Sequence, residues 1–306
     1  MQGLTEVLFR RTYHRHFPMA FDYAVSPFLS LTHGNLSDAY KKIDDVLPEE
    51  NHNSMAVVPQ ILGKEPEEFI VLANRLYEFG YTEVNWNLGC PMRKVAAKHR
   101  GSGLLPYPNE VDHILATIVP QLKPQLSVKV RLGLTSRDEI FRLIPILNNY
   151  PLKSVTIHPR LGRQQYSGHV DLDTFEQTLP LIKHPIIYNG DICTLEQYQT
   201  LVKRFPNLHD IMIGRGTLYC PTLPVEIRKG HHLDPDEKKL STTSFLADLV
   251  RTIDEELPSD EAKLRKTKEY WCLLGRSLNI TEQQARTVLH ATTLNDVQQL
   301  ISNFIQ

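Results

Sequence analysis

The chain has 306 residues, with 34 Lys+Arg against 35 Asp+Glu, a formal net charge of −1, 41% hydrophobic residues and 23% charged ones. This is ordinary globular usage, and it excludes a disordered chain, a collagen-like repeat and a strongly basic tail protein. The length suits one large α/β barrel with an appendage, or two to three smaller domains.

No apolar run of about 18 residues occurs, so no transmembrane helix is expected. Met1-Gln2-Gly3-Leu4-Thr5-Glu6 has no apolar core of a secretory signal. Cys90, Cys193, Cys220 and Cys272 are widely spaced, with no CxxC and no zinc-ligand pairing. A reduced, cytoplasmic protein without a metal site is the expectation.

In chain order, Thr5-Glu6-Val7-Leu8-Phe9-Arg10-Arg11 reads as the start of a helix with Thr5 as its N-cap. Strands are predicted over 23–28, 55–60, 83–87, 126–131, 154–158, 185–188 and 210–213. Helical periodicity lies between them, over 65–79, 110–121, 138–148, 173–181 and 195–204. This alternation predicts right-handed βαβ units and a parallel sheet. The fold expected over 1–230 is a parallel (β/α)8 TIM barrel whose first strand is truncated, because seven strands are visible where a closed barrel needs eight. An open seven-stranded sheet is the alternative. Gly230-His231-His232-Leu233-Asp234-Pro235-Asp236 is turn-rich and reads as a linker. Beyond it only helical spacing remains, as in Phe245, Leu246, Leu249, Val250 and Ile253, so a small helical bundle is expected over 238–306. From residue 231 onward nine Lys/Arg meet twelve Asp/Glu, and the tail is not basic overall.

In a parallel barrel the reactive groups sit at the C-terminal ends of the strands. Those positions hold Gln60, Asn87 with Gly89-Cys90-Pro91, Lys129 and Arg131, His158 and Arg160, Asn189-Gly190-Asp191, and Gly214-Arg215-Gly216. The two glycine turns after the last strands have the place and composition of a phosphate cradle, although each is also an ordinary turn sequence. Lys129 alternates with Val128 and Val130; such a lysine either snorkels from the strand end or meets an anionic partner, for which a cofactor with delocalised negative charge is suited. The Cys90 thiol is a sensible acid for protonating carbon, or else a small core hydrophobe. Arg93, Lys94, Lys98, His99 and Arg100 share one long loop, and with Arg160 and Arg163 they put local positive charge on a neutral protein. A phosphate backbone would suit that charge, as would plain solvent. Asn87, Arg93, Lys94, Lys98, Arg100, Arg160, Arg163, Lys263, Arg265, Lys266 and Lys268 are the candidate RNA or substrate contacts.

Asn87-Leu88-Gly89-Cys90-Pro91, Ser127-Val128-Lys129-Val130-Arg131-Leu132-Gly133, Ile157-His158-Pro159-Arg160, Asn189-Gly190-Asp191 and Met212-Ile213-Gly214-Arg215-Gly216 together resemble the tRNA-dihydrouridine synthases in order and spacing. Met1-Gln2-Gly3-Leu4-Thr5-Glu6 resembles that family's Ala-Pro-Met-x-Gly-x-Thr-Asp start without its Ala-Pro. The resemblance implies a flavin-mononucleotide (FMN) barrel followed by a helical tRNA-binding domain. It implies an enzyme that takes electrons from NADPH and reduces the C5=C6 bond of particular uridines. By the same resemblance Cys90 gives the proton to C5. Met1, Gln2, Gln60, Lys129 and His158 contact the flavin, while Asn189, Gly190, Asp191, Gly214 and Arg215 hold its phosphate end. Departures are Glu6 for the usual aspartate, Pro159 for a frequent glycine, and an unusual loop over 92–100. A flavin-dependent reductase of a free pyrimidine or other small enone, and an inactive RNA-binding relative, are the competing readings. The natural chain is expected to begin further upstream with a short apolar segment, and the version without it to bind flavin more weakly.

Overall fold

Short runs of apolar and β-branched residues pair side by side in chain order. They form β1 (Ala24–Leu29), β2 (Val57–Ile61), β3 (Glu83–Leu88), β4 (Gln125–Gly133), β5 (Val155–Leu161), β6 (Ile186–Asn189) and β7 (Asp210–Met212). Every pairing is parallel. The computed structural model describes residues 1–30, 43–52, 54–278 and 280–305. Among these the sheet has seven strands, with β1 and β7 at its two ends. Residues of both end strands line one cavity, so the sheet curls. The parallel sheet followed by a helical tail is as the alternation predicts; an eighth strand is not found among the described residues.

Besides two single turns at Pro48–Asn51 and Arg93–Ala96, the α-helices among the described residues are α1 (Val7–His16), α2 (Pro66–Glu78), α3 (Pro108–Ile118), α4 (Asp138–Leu147), α5 (Leu172–Thr178), α6 (Leu195–Arg204), α7 (Arg215–Tyr219) and α8 (Leu223–Lys229), then in the tail α9 (Pro235–Glu256), α10 (Asp260–Leu274), α11 (Glu282–His290) and α12 (Leu294–Ile305). Two predicted helices are shorter than their periodicity suggested, and proline is the reason. Pro120 and Pro180 each lack an N–H, so α3 and α5 tighten there into 3₁₀ turns over Val119–Gln121 and Leu179–Leu181. The expected N-cap at Thr5 is corrected as well. Glu6 holds that position without a side-chain cap, the free N–H of Val7 donates to Asp45 Oδ1 at 2.5 Å, and Thr5 Oγ1 turns back to Met1 O. Between the last barrel helix and the tail, Gly230 closes α8 with φ 75°, and Asp234 caps α9 by accepting from the N–H groups of Asp236 and Glu237.

β4 shows how the sheet divides its two faces. Leu126, Val128, Val130 and Leu132 belong to the main apolar core with the helices, while Ser127, Lys129 and Arg131 alternate onto the other face. In-register pairing then puts polar side chains level with one another. Gln60 sits beside Asn85 and Asn85 beside Ser127, while Asn87 sits beside Lys129 and Arg131 beside His158.

A second core joins α1 to the tail. Phe9, Tyr13 and Phe17 of α1 pack with Phe245, Leu246 and Leu249 of α9 and with Tyr270 and Trp271 of α10. Ring centroids of Phe9 with Phe245 and Tyr270 lie 5.7 and 5.5 Å apart, and Tyr13 Oη donates to Pro221 O at 2.7 Å. At about 1.5–3 kcal/mol for each large side chain fully buried, this apolar contact fastens the tail firmly to α1. No helix among the described residues is long and apolar enough to cross a membrane.

Candidate active site

A cavity of about 680 Å³ extends from the C-terminal ends of the strands along the two end strands, β1 and β7. Gln60, Asn87, Cys90, Lys129, His158, Asn189, Gly190, Asp191, Gly214 and Arg215 all line it, and Met1 and Gln2 reach it from the loop before α1. Parallel pairing brings the strand residues together: Gln60, Asn87 and Asn189 lie at the ends of their strands, Cys90, Gly190, Asp191, Gly214 and Arg215 just past them, and Lys129 and His158 at the middle of β4 and β5.

The floor is a ladder of amides. Gln60 Nε2 donates to Asn85 Oδ1 at 2.8 Å, Asn85 Nδ2 to Ser127 Oγ at 2.9 Å, and Asn87 Nδ2 to Gln60 Oε1 at 2.6 Å. The other end of the Asn87 amide is committed too. Its Oδ1 accepts from the N–H groups of Gly89 and Cys90 at 3.0 and 2.9 Å, which fixes the turn carrying the thiol. The Cys90 carbonyl is held from the opposite side, where Ser102 donates both its N–H at 3.0 Å and its Oγ–H at 2.9 Å. Gly101, at φ 56°, leaves no room for a side chain, since a Cβ there would stand 2.8 Å from Cys90 Cβ. Cys90 itself is 7% exposed. Burial pushes its pKa above the ordinary thiol value, against the weaker pull of the Met92 N–H, Arg131 and Lys129.

Positive charge dominates around it. Burial, and after it repulsion from Arg131, lowers the Lys129 pKa to about 7. No carboxylate pairs with this amine among the described residues. Arg131 is brought to about 10, chiefly by burial, and donates to Gly89 O at 2.9 Å and Leu161 O at 3.0 Å. His158 is held well below its usual range by burial and then by Lys129, Arg131, Arg160 and Arg215, so it is neutral at pH 7. Asp191 accepts from Arg160 Nη2 at 2.5 Å and from Arg215 Nη2 at 3.0 Å. Asn189 Nδ2 donates to Met212 O at 2.8 Å and locks β6 to β7 beside the glycine turns.

The candidate RNA contacts separate into two groups. Arg93, Lys94, Lys98, Arg163 and Arg265 are exposed, and Arg100 is half-buried with an Nε that has no partner. The rest have partners within the protein. Arg160 is 2% exposed and spent on Asp191, Gly168 O and His158, so it belongs to the interior wall. The side chain of Asn87 is consumed by Gln60 and the Cys90 turn. Lys263 pairs with Asp254 at 2.9 Å. Lys266 binds Gly3 O and Glu6, and Lys268 binds Leu289 O and Ala291 O. A lysine that caps carbonyls and one that waits in solvent look alike in sequence.

Tyr166 escaped sequence reasoning. It is 56% exposed on the loop after β5, lines the cavity, and its ring lies 5.6 and 5.2 Å from the guanidinium carbons of Arg131 and Arg215. Nothing in Gln165-Tyr166-Ser167 signals that position. Among the described residues no three His, Cys, Asp or Glu side chains gather as a metal site.

A sequence model of the dihydrouridine synthase family matches residues 1–303. The tRNA-dihydrouridine synthase B of Pasteurella multocida (strain Pm70) is 32% identical over 165 residues, 54% of this chain and 49% of its own length. The probable tRNA-dihydrouridine synthase 1 of Synechocystis sp. is 27% identical over 244 residues, 79% of this chain and 66% of that protein. The chain thus spans about half to two thirds of the length of these relatives. In fold it is similar to the old yellow enzyme homologue from Zymomonas mobilis, with a TM-score of 0.54 at 11% identity over 76% of this chain and 89% of that one. With the family match running over nearly its whole length, the chain belongs to the dihydrouridine synthase family.

Proposed function

We propose that the chain binds FMN in the cavity and, with NADPH as reductant, reduces the C5=C6 bond of uridines in tRNA. The observation that carries this reading is the pairing, in one cavity, of a protonated, immobilised thiol with an unpaired amine. The cavity is of the size that holds a small cofactor, typically ~300–1,000 Å³. The Lys129 amine costs free energy as long as no anion faces it, which suits a ring system that becomes anionic on reduction. The turn after β6 is close-fitting: a Cβ on Gly190, at φ 152°, would stand 2.7 Å from Val170 Cγ1 and 3.2 Å from His158 Cδ2. Gly214 opens α7 with no side-chain cap. These residues fit the group. Gln60, Lys129 and His158, with Met1 and Gln2, would hold its rings, and Asn189, Gly190, Asp191, Gly214 and Arg215 its phosphate end.

Flavin, when bound, supplies the hydride for C6. Cys90 then gives the proton to C5, because its raised pKa keeps the thiol protonated at neutral pH. Asn87 and Ser102 hold the peptide on either side of it, so the S–H is delivered without a search over backbone conformations. Neutral His158 adds no further charge to the crowded cationic wall. The direct test is to incubate purified, FMN-saturated protein with NADPH and unmodified tRNA. Uridines should gain two hydrogens each, and flavin-loaded protein that leaves every uridine unchanged would reject the reading.

The RNA footprint follows from which basic side chains are free. We place it on the rim beside the cavity, at Arg93, Lys94, Lys98 and Arg163, rather than on the lysines of α10. Each phosphate contact contributes roughly 0.7–0.9 to the slope of log K against log salt. Neutralising these four rim residues should therefore lower the magnitude of that slope by about 3. Lys263→Met and Lys268→Met should leave it unchanged. A slope that responds to the tail lysines and not to the rim would move the footprint.

A further inference from the structure

The turn that brings Met1 and Gln2 to the cavity is gripped through three consecutive carbonyls. Gly3 O accepts from Lys266 Nζ, Leu4 O from Tyr270 Oη at 2.5 Å, and Thr5 O from Arg10 Nη1 at 2.8 Å. Two of these donors, Lys266 and Tyr270, stand one helical turn apart on α10, deep in the tail. Lys266 also pairs with Glu6 at 3.3 Å, and its Nζ lies 5.5 Å from the centre of the Tyr270 ring. Tyr270 is itself fully buried, with its ring stacked on that of Phe9. The turn is closed on its own side by Leu4 N–H and Thr5 N–H, which both donate to Met1 O at 3.0 Å.

A turn outside regular secondary structure keeps one conformation only where something ties it down. Here the tie comes from the tail and not from the sheet. The carbonyls of Gly3 and Leu4 have these α10 side chains as donors, and a carbonyl left without one favours rearrangement. We propose that Lys266 and Tyr270 are positioning residues that hold the Met1–Gln2 wall against the cofactor, so that the helical tail is part of the construction of the pocket. The ligand side of this inference rests on the flavin reading above; the grip itself does not. Because binding and positioning are linked, whatever loosens α10 weakens the cofactor's hold, and the bound cofactor tightens α10 in return.

The test compares Tyr270→Phe and Lys266→Met with Lys263→Met, which breaks the Asp254 pair inside the tail and leaves the turn untouched. Two readouts are taken on the full chain: the Kd for FMN, and hydrogen exchange at the Leu4 and Thr5 amides. Losing a hydrogen bond of this kind should raise the Kd roughly tenfold in each of the first two variants and speed exchange at both amides. Lys266→Arg should restore both, and Lys263→Met should change neither. If Kd and exchange in Tyr270→Phe and Lys266→Met match those of Lys263→Met, the inference is overturned. If the unaltered chain takes up no FMN, the flavin reading falls, and amide exchange alone decides whether α10 holds the turn.

Discussion

Replacing Cys90 by alanine is expected to lower dihydrouridine formation roughly 10²–10⁴-fold, the usual contribution of a positioned general acid. On the function proposed above, NADPH-driven flavin reduction should be unaffected, because there the thiol acts later, at the uridine carbon. FMN affinity should also change little. Alanine keeps the Cβ against Gly101 and leaves both backbone grips in place, since Asn87 and Ser102 bond the Cys90 peptide and not its sulfur. Rapid-mixing measurement of the two half-reactions separates these outcomes. A variant that forms dihydrouridine at the original rate would remove Cys90 from its role.

Lys129→Met should have the opposite sign on two properties. The amine's pKa falls from 10.5 to about 7 in the folded chain. Between those values the unfolded chain binds a proton that the folded one does not, so the stability of the ligand-free protein rises as pH climbs from about 7 towards 10.5. Below about 7 the full cost is present. Allowing for partial exposure, that cost is about 2–4 kcal/mol. Methionine fills similar space without charge. The ligand-free variant should therefore be more stable at pH 7 by about this amount and lose the rise with pH. Its affinity for FMN should drop, while in the unaltered protein affinity should weaken as pH rises above about 7, because binding an anion takes up a proton at Lys129. Denaturant titrations from pH 6 to pH 10 on both ligand-free proteins check the first part. Equal stability and parallel pH profiles would mean that the amine is solvated and not held in want of a partner.

Much of the fold was legible because its signals are local. Each of the seven strands is a short segment with apolar residues in a run or in alternation, and each predicted barrel helix carries an apolar stripe at helical spacing. The corrections at Pro120 and Pro180 concern where elements end, which proline decides by lacking one N–H. The cavity residues were legible for a related reason. In a parallel barrel the position of a residue along its strand already places it near the mouth, so Gln60, Cys90, Lys129, His158 and Gly214 could be grouped before any distance was known.

Other features depended on partners distant in the chain. The sequence by itself determined that a helix starts just after Thr5, but only the tertiary structure decided that Phe9, Tyr13 and Phe17 pack with α9 and α10 in a core of their own. It determined that Lys263, Lys266 and Lys268 are basic, and not that they are spent on Asp254, on the Gly3 turn and on the end of α11. Arg160 and Arg163 are neighbours of one chemical type, yet one is walled in against Asp191 and the other faces solvent. Periodicity reports which face of a segment avoids water, because that depends on the segment's own side chains. Which carboxylate, carbonyl or ring meets that face is set by long-range packing, and it is there that a charge becomes either a free contact or a fastening.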